Sequence, residues 1–178
     1  MEVKESINKI NIGQDLSKKE ISSVMNQILT GSVSQDQIVS FLGSLSAKGE
    51  SIEEVIGSAE VMRDLSSKVS VDKEHLVDTC GTGGVGSGIF NVSTTAAFIA
   101  SSCGAKVAKH GNRSTTRQSG SADLLETAGV ALELNPEQVK QCIENVGVGF
   151  MFAPAHHSAM KYAVGARKQL GIKTIFNL

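Results

Sequence analysis

Apolar residues recur three and four positions apart through residues 1–70, which is the spacing of amphipathic helices. Three helices are expected to begin at capping boxes, Ser17 with Glu20, Ser34 with Gln37, and Ser51 with Glu54, in which a serine and the side chain three residues later satisfy each other's backbone N–H groups. The predicted core positions are Ile21, Val24, Ile28, Ile38, Phe41, Leu42, Leu45, Ile52, Val55, Ile56, Ala59 and Met62. The pattern predicts a small helical bundle, with helix ends at Gly31 and Gly49.

After Lys68 the pattern changes to short apolar runs at residues 76–77, 106–108, 148–153 and 174–176. Between them lie predicted helices at 93–102, 122–128, 136–146 and 159–170. This alternation is typical of a parallel sheet. We therefore predict an α/β fold with two domains, a helical domain over 1–70 and an α/β domain over 71–178. Because the chain stops directly after a predicted strand, we expect the sheet to be incomplete and the chain to be a fragment.

Composition and charge narrow the class of protein. The 178 residues are 40% hydrophobic and 20% charged, with a net charge of −1, so we expect an ordinary globular protein and no nucleic-acid partner. The uncharged run 79–105 holds six glycines and many hydroxyl side chains, which argues against a membrane span. The N-terminus lacks the features of a secretory signal. Three cysteines without paired spacing indicate the cytoplasm.

Five glycines lie between Gly81 and Gly88, between a predicted strand and a predicted helix. Residues without a Cβ let backbone N–H groups approach an anion, and a helix N-terminus adds partial positive charge. The loop differs from a P-loop, because no Gly-Lys-Ser/Thr closes it, and from the GxGxxG dinucleotide pattern. A phosphate or pyrophosphate site is the favoured interpretation, and a flexible turn is the alternative.

Two further clusters follow predicted strands, where open α/β sheets bind their ligands. In the first, Lys109, Arg113 and Arg117 supply positive charge beside the hydroxyls of residues 114–116; a solvated basic turn is the alternative. The second holds Pro154, the adjacent histidines 156 and 157, and, further on, Arg167. Adjacent histidines on a helix point apart, which disfavours a zinc site, whereas the Arg167 guanidinium suits a carboxylate.

The motifs GTGG, GSGIFNVST, KHGNRS, SGSADLLE, GFMFAPAHH and LGIKTIFN resemble the N-terminal half of the anthranilate phosphoribosyltransferase family, over nearly the whole chain. The resemblance implies a helical domain that forms a homodimer, and an α/β domain of the type shared with nucleoside phosphorylases. It also implies transfer of the phosphoribosyl group from phosphoribosyl pyrophosphate to anthranilate, with Mg²⁺, giving N-(5-phosphoribosyl)anthranilate for tryptophan biosynthesis.

The resemblance also assigns residues by motif. Lys109 and Arg167 are the expected catalytic residues, and Ser93 is the expected magnesium ligand. The expected phosphoribosyl pyrophosphate contacts are Gly81, Gly84, Val85, Asn91, Ser93, Thr94, Lys109, Gly111, Asn112, Arg113, Ser114, Thr115, Thr116, Arg117 and Ser121. The expected anthranilate contacts are Gly81, His110, Asn112, Pro154, His157 and Arg167.

Two departures from the family pattern change the activity that we expect of this chain. Val85 stands where the family commonly has aspartate, so donor or metal handling should be altered. The family's C-terminal half, with an acidic pair that binds magnesium, does not follow Leu178, so weak or no turnover is expected from these residues alone. Two alternatives remain, a pyrimidine nucleoside phosphorylase, whose phosphate loop Val85 matches better, and a non-catalytic dimerisation module.

Overall fold

The computed structural model describes residues 1–81, 90–114 and 119–177. The helices are α1 (Val3–Asn11), α2 (Lys18–Leu29), α3 (Gln35–Lys48), α4 (Ile52–Asp64), α5 (Val92–Ser102), α6 (Ser121–Thr127), α7 (Pro136–Val146), α8 (Ala153–His156) and α9 (Lys161–Leu170). The strands are β1 (Leu76–Val77), β2 (Lys106–Gly111) and β3 (Val148–Phe152). None of these helices is long and apolar enough to cross a membrane.

The three predicted capping boxes are present, at the N-termini of α2, α3 and α4. Helix α1 was missed by the sequence pattern; at its N-terminus the Glu2 backbone N–H donates to Glu5 Oε2 at 3.1 Å, and the Glu2 side chain forms no cap bond. The seven apolar positions predicted for α2 and α3 are all buried. In α4 the prediction was wrong for Ile52, which is 78% exposed, and for Ile56 and Ala59, because Glu54, Gly57 and Ser58 face inward. Met62 packs against the core as a partly buried residue, as predicted.

The sheet is parallel with strand order β1-β2-β3, which confirms the α/β class with a helical bundle before it. The predicted strand at 174–176 was wrong, since Ile175–Asn177 form a 3₁₀ turn. Asn177 Oδ1 accepts the Thr174 backbone N–H at 3.1 Å, and Thr174 and Ile175 are buried. A local side-chain bond of this kind offers the backbone an alternative to a sheet ladder.

The chain forms two compact units. The helical unit consists of residues 1–66 with 157–178, and the sheet unit consists of residues 67–156. The predicted boundary at residue 70 is close to the first division, but residues 157–178 belong with the helical unit. Tyr162 illustrates the reason, because its backbone carbonyl accepts the Gln35 side-chain amide at 2.8 Å. The second unit holds the three described strands, and both predicted anion-binding loops fall within its sequence range.

Candidate functional site

Lys109 lies on the core face of the central strand β2. Because strand side chains alternate between faces, Val107, Lys109 and Gly111 share one side, and all three are buried. Lys109 is only 2% exposed. Its Nζ donates to Ser93 Oγ at 3.2 Å, and lies 3.5 Å from both the backbone oxygen and Oγ1 of Thr79. The three oxygens described as hydrogen-bond partners of this ammonium group are therefore all neutral.

Among the residues that the structure describes, no carboxylate forms an ion pair with Lys109. Burial lowers the pKa of this ammonium group below its ordinary value, and Cys80 and Asp78 oppose that effect. A buried cation without a counterion is costly. The site is thus prepared for an anion brought by a ligand.

The N-terminal end of α5 is connected to residues at the start of α6. Asn91 Nδ2 donates to Ser119 Oγ at 3.1 Å, and Thr94 Oγ1 donates to Ser121 Oγ at 2.9 Å. Thr94 is 1% exposed, so this second bond is inside the unit. The structure therefore brings together five of the residues predicted to bind the donor, namely Asn91, Ser93, Thr94, Lys109 and Ser121.

Asp78 connects the ends of β1 and β2. Its Oδ1 accepts the backbone N–H of Cys80 at 2.8 Å and that of His110 at 3.3 Å. The start of the glycine-rich loop is thereby fixed to the neighbouring strand. Because both amides donate within the protein, they are not open to a bound anion.

Asp123 has a similar role at the second loop. Its Oδ2 accepts the backbone N–H of Ser114 at 2.9 Å and of Gly120 at 2.7 Å. The Arg113 amide donates to Asn112 Oδ1 at 2.8 Å. The amides of Arg113, Ser114 and Gly120 therefore donate within the protein and are not open to a bound anion.

The guanidinium group of Arg113 already has two partners. Its Nη2 is 2.7 Å from Glu126 Oε1, and its Cζ is 4.9 Å from the centroid of the Phe152 ring. Both side chains of the ion pair are about half exposed, so the pair is worth little by itself. An arriving phosphate would have to compete with Glu126 for Arg113.

His110 lies at the end of β2, where its Nδ1 is 3.8 Å from Cys80 Sγ. Burial lowers the pKa of His110, and His156 and Lys109 lower it further, against an opposing effect of Asp78. Burial also raises the pKa of the Cys80 thiol. At neutral pH both groups are therefore favoured in their uncharged forms.

The other predicted acceptor contacts are distributed over both units. Pro154 is exposed in α8, within the sheet unit. His157 and Arg167 belong to the helical unit, where Arg167 Cζ is 5.7 Å from the centroid of the Phe176 ring. Burial lowers the pKa of Arg167, although a guanidinium of this kind stays charged at neutral pH.

Two of the glycines predicted to contact the ligand differ in the space available for a side chain. A Cβ on Gly111 would lie 2.8 Å from the Phe150 ring, so a close approach explains glycine there. A Cβ on Gly81 would meet nothing within 4 Å. The predicted contacts Gly84, Val85, Thr115, Thr116 and Arg117 lie outside the described residues.

Four residues of this region were missed by sequence reasoning: Asp78, Thr79, Ser119 and Asp123. Asp78 and Thr79 directly follow β1, at the strand end where ligands bind in open α/β sheets. Asp123 stands three residues after Gly120, in the position of the acidic residue of a capping box. These sequence positions, directly after a predicted strand and three residues after Gly120, could have identified Asp78, Thr79 and Asp123.

Metal binding was predicted at Ser93. The described residues contain no group of three or more His, Cys, Asp or Glu side chains placed to hold a metal ion. Ser93 Oγ accepts a bond from Lys109, and a hydroxyl oxygen has a second lone pair. Mg²⁺ prefers oxygen ligands and often takes several of them from substrate phosphates, so Ser93 fits as a single protein ligand.

The chain belongs to the glycosyl transferase family whose a/b domain model matches residues 73–178. The helical bundle domain model of the same family matches residues 4–66. These two matches agree with the order of a helical bundle followed by a parallel sheet.

Among its relatives, the chain is similar to the anthranilate phosphoribosyltransferase of Ectopseudomonas mendocina (strain ymp), with 56% identity over 178 residues, 100% of this chain and 51% of the relative. The crystal structure of anthranilate phosphoribosyltransferase from Thermus thermophilus matches with a TM-score of 0.87 and 41% identity, over 97% of this chain and 52% of that one. The enzyme from Saccharomyces cerevisiae, in complex with PRPP and Mg, matches with a TM-score of 0.83 and 27% identity, over 98% and 53%. The chain thus spans about half the length of these relatives.

Proposed function

We propose that this chain supplies the donor-binding part of an anthranilate phosphoribosyltransferase, which transfers the phosphoribosyl group from phosphoribosyl pyrophosphate to anthranilate. The observation that carries this proposal is Lys109, a lysine buried at the ligand-binding end of β2 with neutral oxygens as its described partners. A polyanionic donor would provide the missing negative charge. The similarity to enzymes of that name supports the choice of substrate.

In the proposed reaction the bond between ribose C1 and the pyrophosphate oxygen breaks, and the anthranilate nitrogen bonds to C1. Negative charge accumulates on the leaving pyrophosphate, and a fixed cation such as Lys109 stabilises that charge more than the ground state. Lys109 is held by Ser93 and Thr79 before the ligand arrives, so little reorganisation is needed. The amine proton then leaves to solvent.

The acceptor needs orientation more than a strong base, because an aromatic amine is already neutral at pH 7. The proposed acceptor contacts are unchanged from the sequence-based set: Gly81, His110, Asn112, Pro154, His157 and Arg167. Arg167 is the proposed partner of the anthranilate carboxylate, since a guanidinium binds a carboxylate with two parallel hydrogen bonds.

Mg²⁺ is proposed to enter with the pyrophosphate group and to use Ser93 Oγ as a protein ligand. When bound, it would neutralise charge on the leaving group. Lys109 holds the same hydroxyl at 3.2 Å, so a free metal ion would meet a neighbouring cation, whereas a metal already bound to an anion would not.

A homodimer formed through the helical unit is also part of the proposal. The helical unit exposes Ile12 and Ile52, at 72% and 78%, and apolar side chains of this size are suited to a protein interface. Sedimentation of the wild type and of Ile12→Asp and Ile52→Asp tests the dimer.

A cytoplasmic location is also part of the proposal, and the free thiols of Cys80, Cys103 and Cys142 support it.

Calorimetry and thermal unfolding with phosphoribosyl pyrophosphate and Mg²⁺ test the proposed function. A ligand that binds only the folded state raises the unfolding midpoint, so a concentration-dependent increase is expected. Anthranilate, and thymidine as the phosphorylase substrate, are the comparison ligands. Thymidine binding without anthranilate binding would favour the phosphorylase, and a dimer indifferent to all three ligands would favour a dimerisation module.

A further inference from the structure

The loop between β2 and α6 is closed at its base by a close approach of its two ends. A Cβ added to Gly120 would lie 2.6 Å from the backbone nitrogen of Ser114 and 2.8 Å from the backbone oxygen of Asn112. Both neighbours are main-chain atoms, which cannot move aside as a flexible side chain can. The position of Gly120 therefore requires glycine, and the loop ends at Ser114 and Gly120 are held together.

One carboxylate oxygen bridges these two ends. Asp123 Oδ2 accepts the Ser114 amide at 2.9 Å and the Gly120 amide at 2.7 Å. The bond to Gly120, three residues earlier, is an ordinary helix cap for α6. The bond to Ser114, nine residues earlier, adds nothing to the helix and acts only on the loop.

The same region is fixed to the first turn of α5. Ser119 accepts from Asn91 and Ser121 from Thr94. A negative charge next to a proposed polyanion site repels the ligand. A carboxylate at this position therefore needs a structural explanation. Hydrogen bonds to an ionised acceptor are roughly twice as strong as neutral ones. The strength of its bonds to the two ends of the loop explains why a carboxylate stands at this position.

We propose that Asp123 is a positioning residue for the donor. It closes the loop at Ser114 and Gly120 and so sets the positions of Asn112, Ser114 and Ser121 before the ligand binds. Asp123 does not touch the donor in this proposal. The inference depends on the proposed function, because it assigns the loop to phosphoribosyl pyrophosphate.

The test compares Asp123→Ala, Asp123→Asn and the control Glu137→Gln with the wild type. An asparagine oxygen can accept the same two amides without charge, whereas alanine leaves both unpaired. Glu137 is an acidic residue of the same unit in the first turn of α7, and its described ion pair is with Lys140, so it controls for the loss of one negative charge. Calorimetry measures the affinity for phosphoribosyl pyrophosphate with Mg²⁺, and amide hydrogen exchange measures protection at Ser114 and Gly120 without ligand.

We expect Asp123→Ala to weaken donor binding by about tenfold, comparable to the loss of one hydrogen bond to a charged group, and to speed exchange at Ser114. Asp123→Asn should rescue most of the affinity, to within about threefold, because its neutral acceptor is weaker but present. Glu137→Gln should change neither measurement. This rescue separates the role of the bridging oxygen from a general effect on stability, which thermal unfolding monitors.

Equal affinity of wild type and Asp123→Ala, with faster exchange at Ser114, would overturn this inference and leave the proposed function intact. Tighter binding by Asp123→Asn would also overturn it, by showing that charge repulsion dominates. If Asp123→Ala does not fold, Asp123→Asn decides: faster Ser114 exchange without any loss of affinity contradicts the proposal. A wild-type chain that binds no donor removes the proposed function and this role together.

Discussion

Lys109 places an ammonium group on the buried face of the central strand, in a position where the strand pattern alone would favour an apolar residue. Its nearest described neighbours are the oxygens of Ser93 and Thr79. Removing a charge from water costs free energy unless a counterion compensates for it. The residue is therefore expected to lower the stability of the free protein in exchange for anion binding.

Replacing Lys109 with methionine, which has a similar length and no charge, should raise the free energy of unfolding of the free protein by about 1–3 kcal/mol. The same variant should lose the increase in unfolding midpoint caused by phosphoribosyl pyrophosphate. Denaturant unfolding with and without ligand checks both effects. Lys106→Met is the control, because Lys106 is a half-exposed neighbour on β2 paired with Asp72; a ligand effect that survives in Lys109→Met would contradict the proposed role.

Glu20 is a second residue whose chemistry predicts a measurable effect. The side-chain bond from Lys9, followed by bonds from the Ser17 backbone and hydroxyl, lowers the pKa of Glu20 to about 2. A carboxyl group whose folded pKa is lowered stabilises the protein above its unfolded pKa, and that stabilisation is lost as the pH falls through the folded pKa.

Glu20→Gln keeps an acceptor for Ser17, as Gln37 does in α3, but loses the ion pair with Lys9 at 2.8 Å. It should therefore reduce the free energy of unfolding by about 0.5–1 kcal/mol at pH 7. The difference between variant and wild type should shrink as the pH falls from about 4.5 towards 2. Urea unfolding across this range measures it. A difference that is constant with pH would mean that the ionised form of Glu20 is not the stabilising one.

At the scale of elements, α4 shows where periodicity misleads. Its apolar residues Ile52 and Ile56 are exposed, and the inward face carries Glu54, Gly57 and Ser58. Glu54 is fully buried because Lys48 Nζ donates to Oε2, at 2.9 Å, and the Leu16 and Ser51 amides donate to its oxygens, at 2.9 and 2.7 Å. A carboxylate with satisfied hydrogen bonds thus lies on the inward face of α4, where the apolar pattern had placed Ile52 and Ile56.

Gly57 allows α4 to approach α2 closely. A Cβ there would lie 2.5 Å from Ile21 Cγ2 and 2.8 Å from the Lys18 backbone oxygen. Gly57→Ala should therefore reduce the free energy of unfolding by about 1–3 kcal/mol through overpacking, although alanine favours helix by about 1 kcal/mol.

Gly43→Ala in α3 is the matched control for this substitution. Its Cβ would make an ordinary contact with Leu170 Cδ2 at 3.4 Å, so the gain in helix propensity should appear without the overpacking. Opposite signs for the two variants in urea unfolding are expected. The same sign for both would show that helix propensity, not the approach of α2 and α4, controls Gly57.

At the scale of the whole molecule, the helical unit is assembled from both ends of the chain. Residues 157–178 follow the sheet in sequence yet belong with residues 1–66. Ala163 and Ala166 of α9 are fully buried in the core that α2 and α3 form. Local apolar patterning identifies α9 as a helix but carries no information about which distant element it contacts.

Ala166→Asp should bury an uncompensated carboxylate in that core and destabilise the helical unit by about 3 kcal/mol or more. Amide hydrogen exchange is then expected to speed up in α2 and α3 before it does in β2 and β3. Val164→Asp, an exposed substitution in the same helix, is the control. Equal loss of protection in both units would contradict the division of the chain.

Local chemistry determined much of this protein from sequence alone. Several features depend on residues that are close together in the chain: the capping boxes, the glycines at helix ends, the helix 136–146 and the positions of the three strands. Each of these was predicted at or near its observed position. The donor residues from Asn91 to Ser121 were identified by motif, and the fold brings several of them together. Their ligand roles stay predictions.

Tertiary structure alone decided the partners of those residues. Four features depend on contacts between positions that are far apart in the chain or on different elements. They are the burial of Lys109 without a described counterion, the two amides that donate to Asp123, the inward face of α4, and the return of residues 157–178 to the helical unit. Periodicity records which face of a segment is apolar, whereas hydrogen-bond partners and close approach depend on distances between segments. Those distances exist only once the chain has folded.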